Sequence, residues 1–331
     1  MSAGHDRRRR RHRRAAGALI VVILALASAS GAVWAAYTGN ATSPGNELVA
    51  ASDWVAPSAS ASVIAKSQGG VAGYIHQGGA YNVYANVTDT GAPASGTASV
   101  TANGSTITTG QSAVALSSGS FTAGGIAYGY RTGGLTANST LAAGTYNYSL
   151  TSKDVAGNSN TQSGYTVIVD NTAPTAADVQ TTNKTGGTVG RPELGDSITF
   201  SFSEPIDPNS ILANWTSTST NVVVRINNAT NDTLLVYNAA NSTQLPLGSV
   251  NLGSGEYVTS NATFGATGTA STMVQSGNAI TVTLGTASSG PSTALFASTM
   301  TWTPSASAYD RAGNAETTTA RTETGSLDKE F

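Results

Sequence analysis

Two kinds of hydrophobic pattern divide the chain. Near its start, positions 15–36 form a run of 22 residues without a charge, long enough to cross a bilayer as a helix. Further on, apolar residues alternate with small polar ones at a period of two, the spacing of a strand with one buried face. The alternation is clean over 197–202 and 279–284, present over 80–87, and weaker over 98–102. Segments 62–65, 146–150, 165–169, 178–181, 222–226, 234–237 and 300–303 read as further strands. One short stretch, Asp207-Pro208-Asn209-Ser210-Ile211-Leu212, reads as a single helical turn packed against the sheets.

Turn signals punctuate these strands twice over. Asp53-Trp54-Val55-Ala56-Pro57 and Asp170-Asn171-Thr172-Ala173-Pro174 each precede a first strand, where a proline fixes φ and donates nothing to a ladder. Asp154-Val155-Ala156-Gly157-Asn158 and Asp310-Arg311-Ala312-Gly313-Asn314 each form a tight reversal late in a repeat, with Gly and Asn free to take φ > 0. The prolines are 117 positions apart (57 to 174) and the reversals 156 (154 to 310), so the second repeat carries about 39 extra residues. The expected organisation is a basic segment (1–14), a hydrophobic helix (15–36), a lead-in (37–56) and two β-domains. These span 57–172 and 173–331, the latter with the insertion. Strands at this density in units of this size point to an all-β fold of two tandem sandwiches.

Charge changes the picture at the N-terminus. Seven of the 16 basic residues are Arg7 to Arg11, Arg13 and Arg14, leaving 9 basic against 17 acidic residues beyond them, a balance of −8. No basic surface remains for nucleic acid. An Arg cluster followed at once by an uncharged apolar run marks an export segment whose basic flank stays inside. It reads equally as an uncleaved anchor or as a secretory signal cut near Val33-Trp34-Ala35 or Ala27-Ser28-Ala29. The protein is thus expected at the cell membrane with its C-terminal region outside, or secreted. Cysteine is absent, which excludes disulfides, thiol nucleophiles and Cys–zinc sites.

These motifs resemble those of the bacterial immunoglobulin-like domains repeated in exported surface proteins. The resemblance rests on the Asp170–Pro174 joint, on the two Asp-x-Ala-Gly-Asn turns, and on Gly144-Thr145-Tyr146 entering a strand like that fold's tyrosine corner. In the second repeat, Phe202-Ser203-Glu204-Pro205-Ile206-Asp207 is similar to a strand ending of the surface-layer and adhesin subfamily. The resemblance implies two Ig-like sandwiches and a structural or adhesive role, with an extracellular protein or glycan as partner and the membrane reached through the N-terminal helix.

The search for chemistry finds oxygen ligands rather than a catalytic set. His76 is the only histidine beyond the Arg cluster and lies in a turn-like stretch. Lys66 and Ser67 are neighbours on a strand and point to opposite faces. Glu204 and Asp207 are close enough in sequence for a carboxylate pair, yet one loop of a small sandwich makes a poor cleft. A secreted hydrolase is therefore the least favoured reading, and no cofactor is expected beyond a candidate Ca²⁺. In Ig-like topology the loop after the second strand meets the loop before the last. That gathers Asp89, Asp154 and Asn158 in the first repeat, and Glu204, Asp207, Asp310 and Asn314 in the second. Hard oxygen ligands of this kind suit Ca²⁺; capping of turns through side-chain hydrogen bonds is the competing role. Trp54, Trp215, Trp302, Tyr128 and Tyr130 are either core or a sugar-stacking platform, a role that would make the protein a carbohydrate-binding adhesin.

Overall fold

A computed structural model describes residues 53–67, 70–325, 327 and 329–331. The basic segment, the hydrophobic segment and most of the lead-in lie outside the described residues. Among the described residues no helix is long and apolar enough to cross a membrane.

The chain from Ala51 to Phe331 forms one compact unit that contains two antiparallel-rich sheets, one for each sequence repeat. The first sheet holds β1 (Ser58–Lys66), β2 (Tyr74–Ile75), β3 (Ala80–Thr88), β4 (Thr97–Asn103), β5 (Val114–Ala123), β6 (Ile126–Thr132), β7 (Leu135–Thr136), β8 (Gly144–Asp154) and β9 (Ser159–Val169). The second holds β10 (Ala176–Thr182), β11 (Ser197–Phe202), β12 (Thr220–Asn227), β13 (Thr233–Asn238), β14 (Ser249–Asn251), β15 (Ala262–Phe264), β16 (Ser271–Ser276), β17 (Ala279–Thr283), β18 (Thr301–Thr303) and β19 (Arg321–Thr322). A single helical turn, α1 (Pro208–Ile211), follows β11.

Hydrogen-bonded neighbours run β1-β3-β6-β5-β4-β8-β9-β2 in the first sheet and β10-β11-β17-β16-β12-β13-β14-β18-β19 in the second. Once the pair β13–β14 is removed, the two orders match over seven strands, from β1 and β10 to β9 and β19, and the terminal β2 has no counterpart in the second sheet. Where β4 pairs directly with β8 in the first sheet, β13 and β14 stand between β12 and β18 in the second. The extra length seen in the sequence lies here, since 43 residues separate β12 from β16 and only 10 separate β4 from β5. Both sheets fold back on themselves, and β1 returns to lie against β9 and β2. A small parallel patch, Tyr74 beside Ile168 and Ile75 beside Val169, closes the first sheet's end.

Each sheet wraps its own core, because the alternation puts one face of every long strand inside. In β11, Ile198, Phe200 and Phe202 are buried while Ser197, Thr199 and Ser201 are half-exposed. The second core centres on Trp302, edge-on to Phe200 and Phe202 with centroids 5.2 and 5.1 Å away. The first core gathers Ile64, Tyr81, Val83, Leu150 and Val167, and no buried residue belongs to both. Tyr146 donates its hydroxyl to the Ala142 carbonyl at 3.0 Å, pinning the entry into β8.

The expected strands appear at all the positions named above, and α1 occupies the expected turn. The hairpin of β5 and β6 was not anticipated. Its strands are rich in Ser, Gly and Thr, and it turns at Gly124-Gly125, where both glycines have positive φ (56° and 77°), the requirement of a tight primed hairpin turn.

Candidate functional site

The loops that follow β3 and β8 meet at one end of the first sheet, and those after β11 and β18 meet at one end of the second. Each meeting point collects three carboxylates. Asp53, Asp89 and Asp154 each place an oxygen within 4.8 Å of the others, and so do Asp170, Glu204 and Asp310. The two triads are equivalent under the sequence repeat, residue for residue.

The Asp-x-Ala-Gly-Asn turn builds the floor of each site. Asp154 accepts from the Asn158 backbone N–H at 2.7 Å and from its side-chain Nδ2 at 2.7 Å. Asp310 accepts from the same two atoms of Asn314 at 2.8 and 2.7 Å. The same amide then ties in the start of the repeat: Asn158 Nδ2 donates to the Asp53 carbonyl at 3.1 Å, and Asn314 Nδ2 to the Asp170 carbonyl at 2.9 Å. Both Asp154 and Asp310 are buried, so these bonds stand where water would otherwise serve. The two asparagines present nitrogen rather than oxygen to their triads, and their work in this arrangement is positioning.

The triads differ in how they tolerate their charge. In the first, backbone donors face the acids: Val55 and Ser95 bond Asp53 at 3.0 and 2.8 Å, and Gly96 bonds Asp89 at 2.7 Å. The Val55 and Ser95 N–H groups hold Asp53 below the ordinary carboxylate range. In the second, burial pushes Glu204 up to about 7, helped by the neighbouring Asp170 and Asp310 charges and a hydrogen bond to Asp170. One carboxyl of the second triad therefore holds a proton near neutrality, the usual answer to crowded like charges.

Of the seven residues singled out as candidate ligands, Asp89 and Asp154 with Asn158 come together, as do Glu204 and Asp310 with Asn314. Asp207 does not join them. It caps α1, accepting from Asn209 N at 3.1 Å, and its second oxygen accepts from Gly70 N of the first repeat at 3.0 Å. Sequence reasoning missed Asp53 and Asp170 as members. Their signal was present, since each opens the Asp-to-Pro joint of its repeat.

The remaining chemical candidates separate in space. His76 Nδ1 lies 2.8 Å from its neighbour's carbonyl, Gln77 O. Ser67 Oγ bonds Asn82, while Lys66 Nζ sits 6.0 Å from the Tyr309 ring centre. Trp302, Trp215 and Tyr128 are buried, so the aromatic residues form no shared sugar platform. Trp302 donates its indole N–H to Leu247 O at 2.6 Å, and of the three tryptophans among the described residues only Trp54 stands exposed. A surface pocket lined by residues including Asn103, Ser105, Thr106, Asn147, Tyr148 and Ser149 carries no charged side chain.

No protein-family model matches the chain, and neither a curated protein nor a solved structure matches it.

Proposed function

We propose that this is a non-enzymatic exported surface protein, in which two tandem immunoglobulin-like sandwiches act as a structural or adhesive module. The observation that carries the reading is the repeated strand order, with the same Asp–Pro joint and the same Asp-x-Ala-Gly-Asn turn in each repeat. The Tyr146 hydroxyl on the Ala142 carbonyl supports the immunoglobulin-like assignment, since it makes the bond of a tyrosine corner. The Arg cluster and uncharged run at 7–36 support export, with residues beyond 36 outside. The partner on this reading is an extracellular protein or glycan, with the membrane reached through the N-terminal segment and no role for nucleic acid.

The test is protease shaving of intact bacterial cells making the full chain. Added protease should remove the region beyond residue 52 while a cytosolic marker survives. A chain protected until the cells are lysed would end the surface reading.

A second reading, that each triad takes a Ca²⁺ ion, is favoured by the recurrence of three converging carboxylates at equivalent places in both repeats. Asp53, Asp89 and Asp154 would hold one ion, and Asp170, Glu204 and Asp310 the other. Oxygen-only donor sets of this kind suit a hard cation. Millimolar Ca²⁺ is expected to raise the melting temperature and chelator to reverse it. A site at 100-fold excess over its Kd stabilises by about 2.7 kcal/mol. Asp89→Asn and Glu204→Gln should each remove part of the gain. Because Glu204 holds a proton up to about pH 7, calcium binding at the second triad should weaken as pH falls through 7. A flat titration in the wild-type chain returns all six carboxylates to turn chemistry.

A further inference from the structure

The join between the two repeats is an interface already built once within the chain, and each of its two kinds of end recurs at the far side of the other repeat, where no described residue covers it. At the join, the loop after β1 lies on the triad end of the second sheet. Gly70 N donates to Asp207 and Val71 N to the Arg311 carbonyl at 3.0 and 3.1 Å, and the Arg311 guanidinium stands 5.7 Å from the Tyr74 ring centre. Lys66 covers Gly313 so closely that a Cβ there would run into its ammonium. Gly157 is the equivalent of Gly313 in the first repeat, and a Cβ there would meet nothing within 4 Å. Among the described residues, the triad end of the first sheet is therefore the equivalent surface without an equivalent of Lys66 over it.

Six of the twelve exposed large apolar side chains among the described residues stand at these two ends. At the triad end of the first sheet stand Trp54 (76% exposed), Val55 and Val155 (70%). They are drawn together by Asn158, which bonds the Asp53 carbonyl, and by Ser95, which bonds both Asp53 and Ala156. Val155 occupies the position of Arg311, so the contact that is cationic at the internal join becomes apolar here. At the opposite end of the second sheet stand Val189, Leu295 and Phe296 (72%). The loops that carry them are stitched by Ala294 N donating to Gly190 O at 2.8 Å. This is the end that corresponds to the Lys66–Tyr74 end of the first sheet, and Lys184 follows β10 much as Lys66 ends β1. Isolated exposed apolar residues need no explanation, but matched clusters at complementary ends do.

The geometry points to head-to-tail self-association, in which the Val189–Leu295–Phe296 end of one copy docks on the Trp54–Val55–Val155 end of the next, continuing the internal join between molecules. The occupant is a second copy because the chain already pairs these two kinds of end with each other. The contact is heterologous, so it does not close on itself as a two-fold dimer would and adds further copies in the same sense. This goes beyond the structural reading and can fail while that reading stands.

The absence of native cysteine makes the test direct. Full-length Val155→Cys and Phe296→Cys chains are purified in mild detergent, then oxidised separately and as a mixture. The expected result is a disulfide-linked dimer in the mixture alone, and a ladder of higher species from the chain carrying both substitutions. A dimer from either single variant by itself would mean a two-fold or micelle-driven contact, and would overturn the proposal. No cross-link in any sample would do the same, as when the chain's own N-terminal segment covers the first end. As a second readout, sedimentation of the unmodified chain should show mass rising with concentration, and Phe296→Asp should weaken that association about tenfold or more. A chain that stays monomeric before substitution sinks the idea.

Discussion

Replacing Trp302 with alanine is expected to destabilise the second repeat by about 3–5 kcal/mol, the range for deleting a fully buried indole. Trp302 has no exposed surface and sits edge-on between Phe200 and Phe202, so its loss leaves a cavity that two rigid rings are poorly able to fill. It also strands the Leu247 carbonyl, which accepts the indole N–H at 2.6 Å, and a buried acceptor left alone adds to the cost. For a domain of this size that corresponds to a drop on the order of 10 °C in melting temperature. The fall should be confined to one part of the chain. Trp302 belongs to the second core alone, so calorimetry should show one transition moving and the other staying. A uniform shift of all unfolding signal would mean that the two cores melt as one.

The second large effect concerns Glu316. Its side chain is buried, and neither carboxylate oxygen has a hydrogen-bond partner. Burial alone pushes its pKa up to about 8. The sign follows from linkage: a group that is more basic in the folded state binds its proton more tightly there. Stability is then full below the ordinary value of 4.5 and drains away as pH rises toward 8. Glu316→Gln removes the charge while keeping the shape. The variant should match the wild type near pH 4.5 and gain on it steadily, reaching roughly 3–5 kcal/mol above pH 8. Chemical denaturation at several pH values measures this directly. Glu204 drives stability in the same direction with pH, but it is common to both chains and cancels from the difference. A gap between the two proteins that does not change with pH would refute the account. In the first repeat the equivalent residue is Asn160, which carries no charge and bonds the Pro57 carbonyl at 3.4 Å.

Much of the fold was legible because the strands that face a core carry their burial in their spelling. Segments such as Ile198-Thr199-Phe200-Ser201-Phe202 alternate so regularly that only one register buries them. The duplication was legible for a different reason, since joints and tight turns need particular residues at fixed offsets. What escaped were strands whose partners rather than their side chains make them strands. In β5, Leu116 and Ala123 are the buried apolar positions among ten residues, and the rest are held by pairing with β6. The insertion of β13 and β14 could be counted from the spacing of the turns, but nothing in the spelling says that it is threaded between two paired neighbours. The triads were half legible. Asp89 with Asp154, and Glu204 with Asp310, follow from which loops meet. Asp53 and Asp170 are tied in by the Asn158 and Asn314 amides, contacts across 105 and 144 positions that no local pattern announces. Asp207 misled because three residues of separation from Glu204 places it on a helical cap that faces the other repeat.

The separateness of the two cores also sets an order in time. Every buried residue of the first core lies between Ala59 and Val169, so that core has all its members once position 169 has been synthesised. The second core is different. It is completed by Phe331, whose ring packs 6.2 Å from Tyr257 and whose N–H reaches Thr181, 150 positions earlier. Contacts of such span form slowly, because the long intervening chain must be brought together before any of them is rewarded. Refolding should therefore proceed in two phases, with the first half native while the second is still searching. During that interval the edges of β10 and β11 would be open to a neighbouring chain.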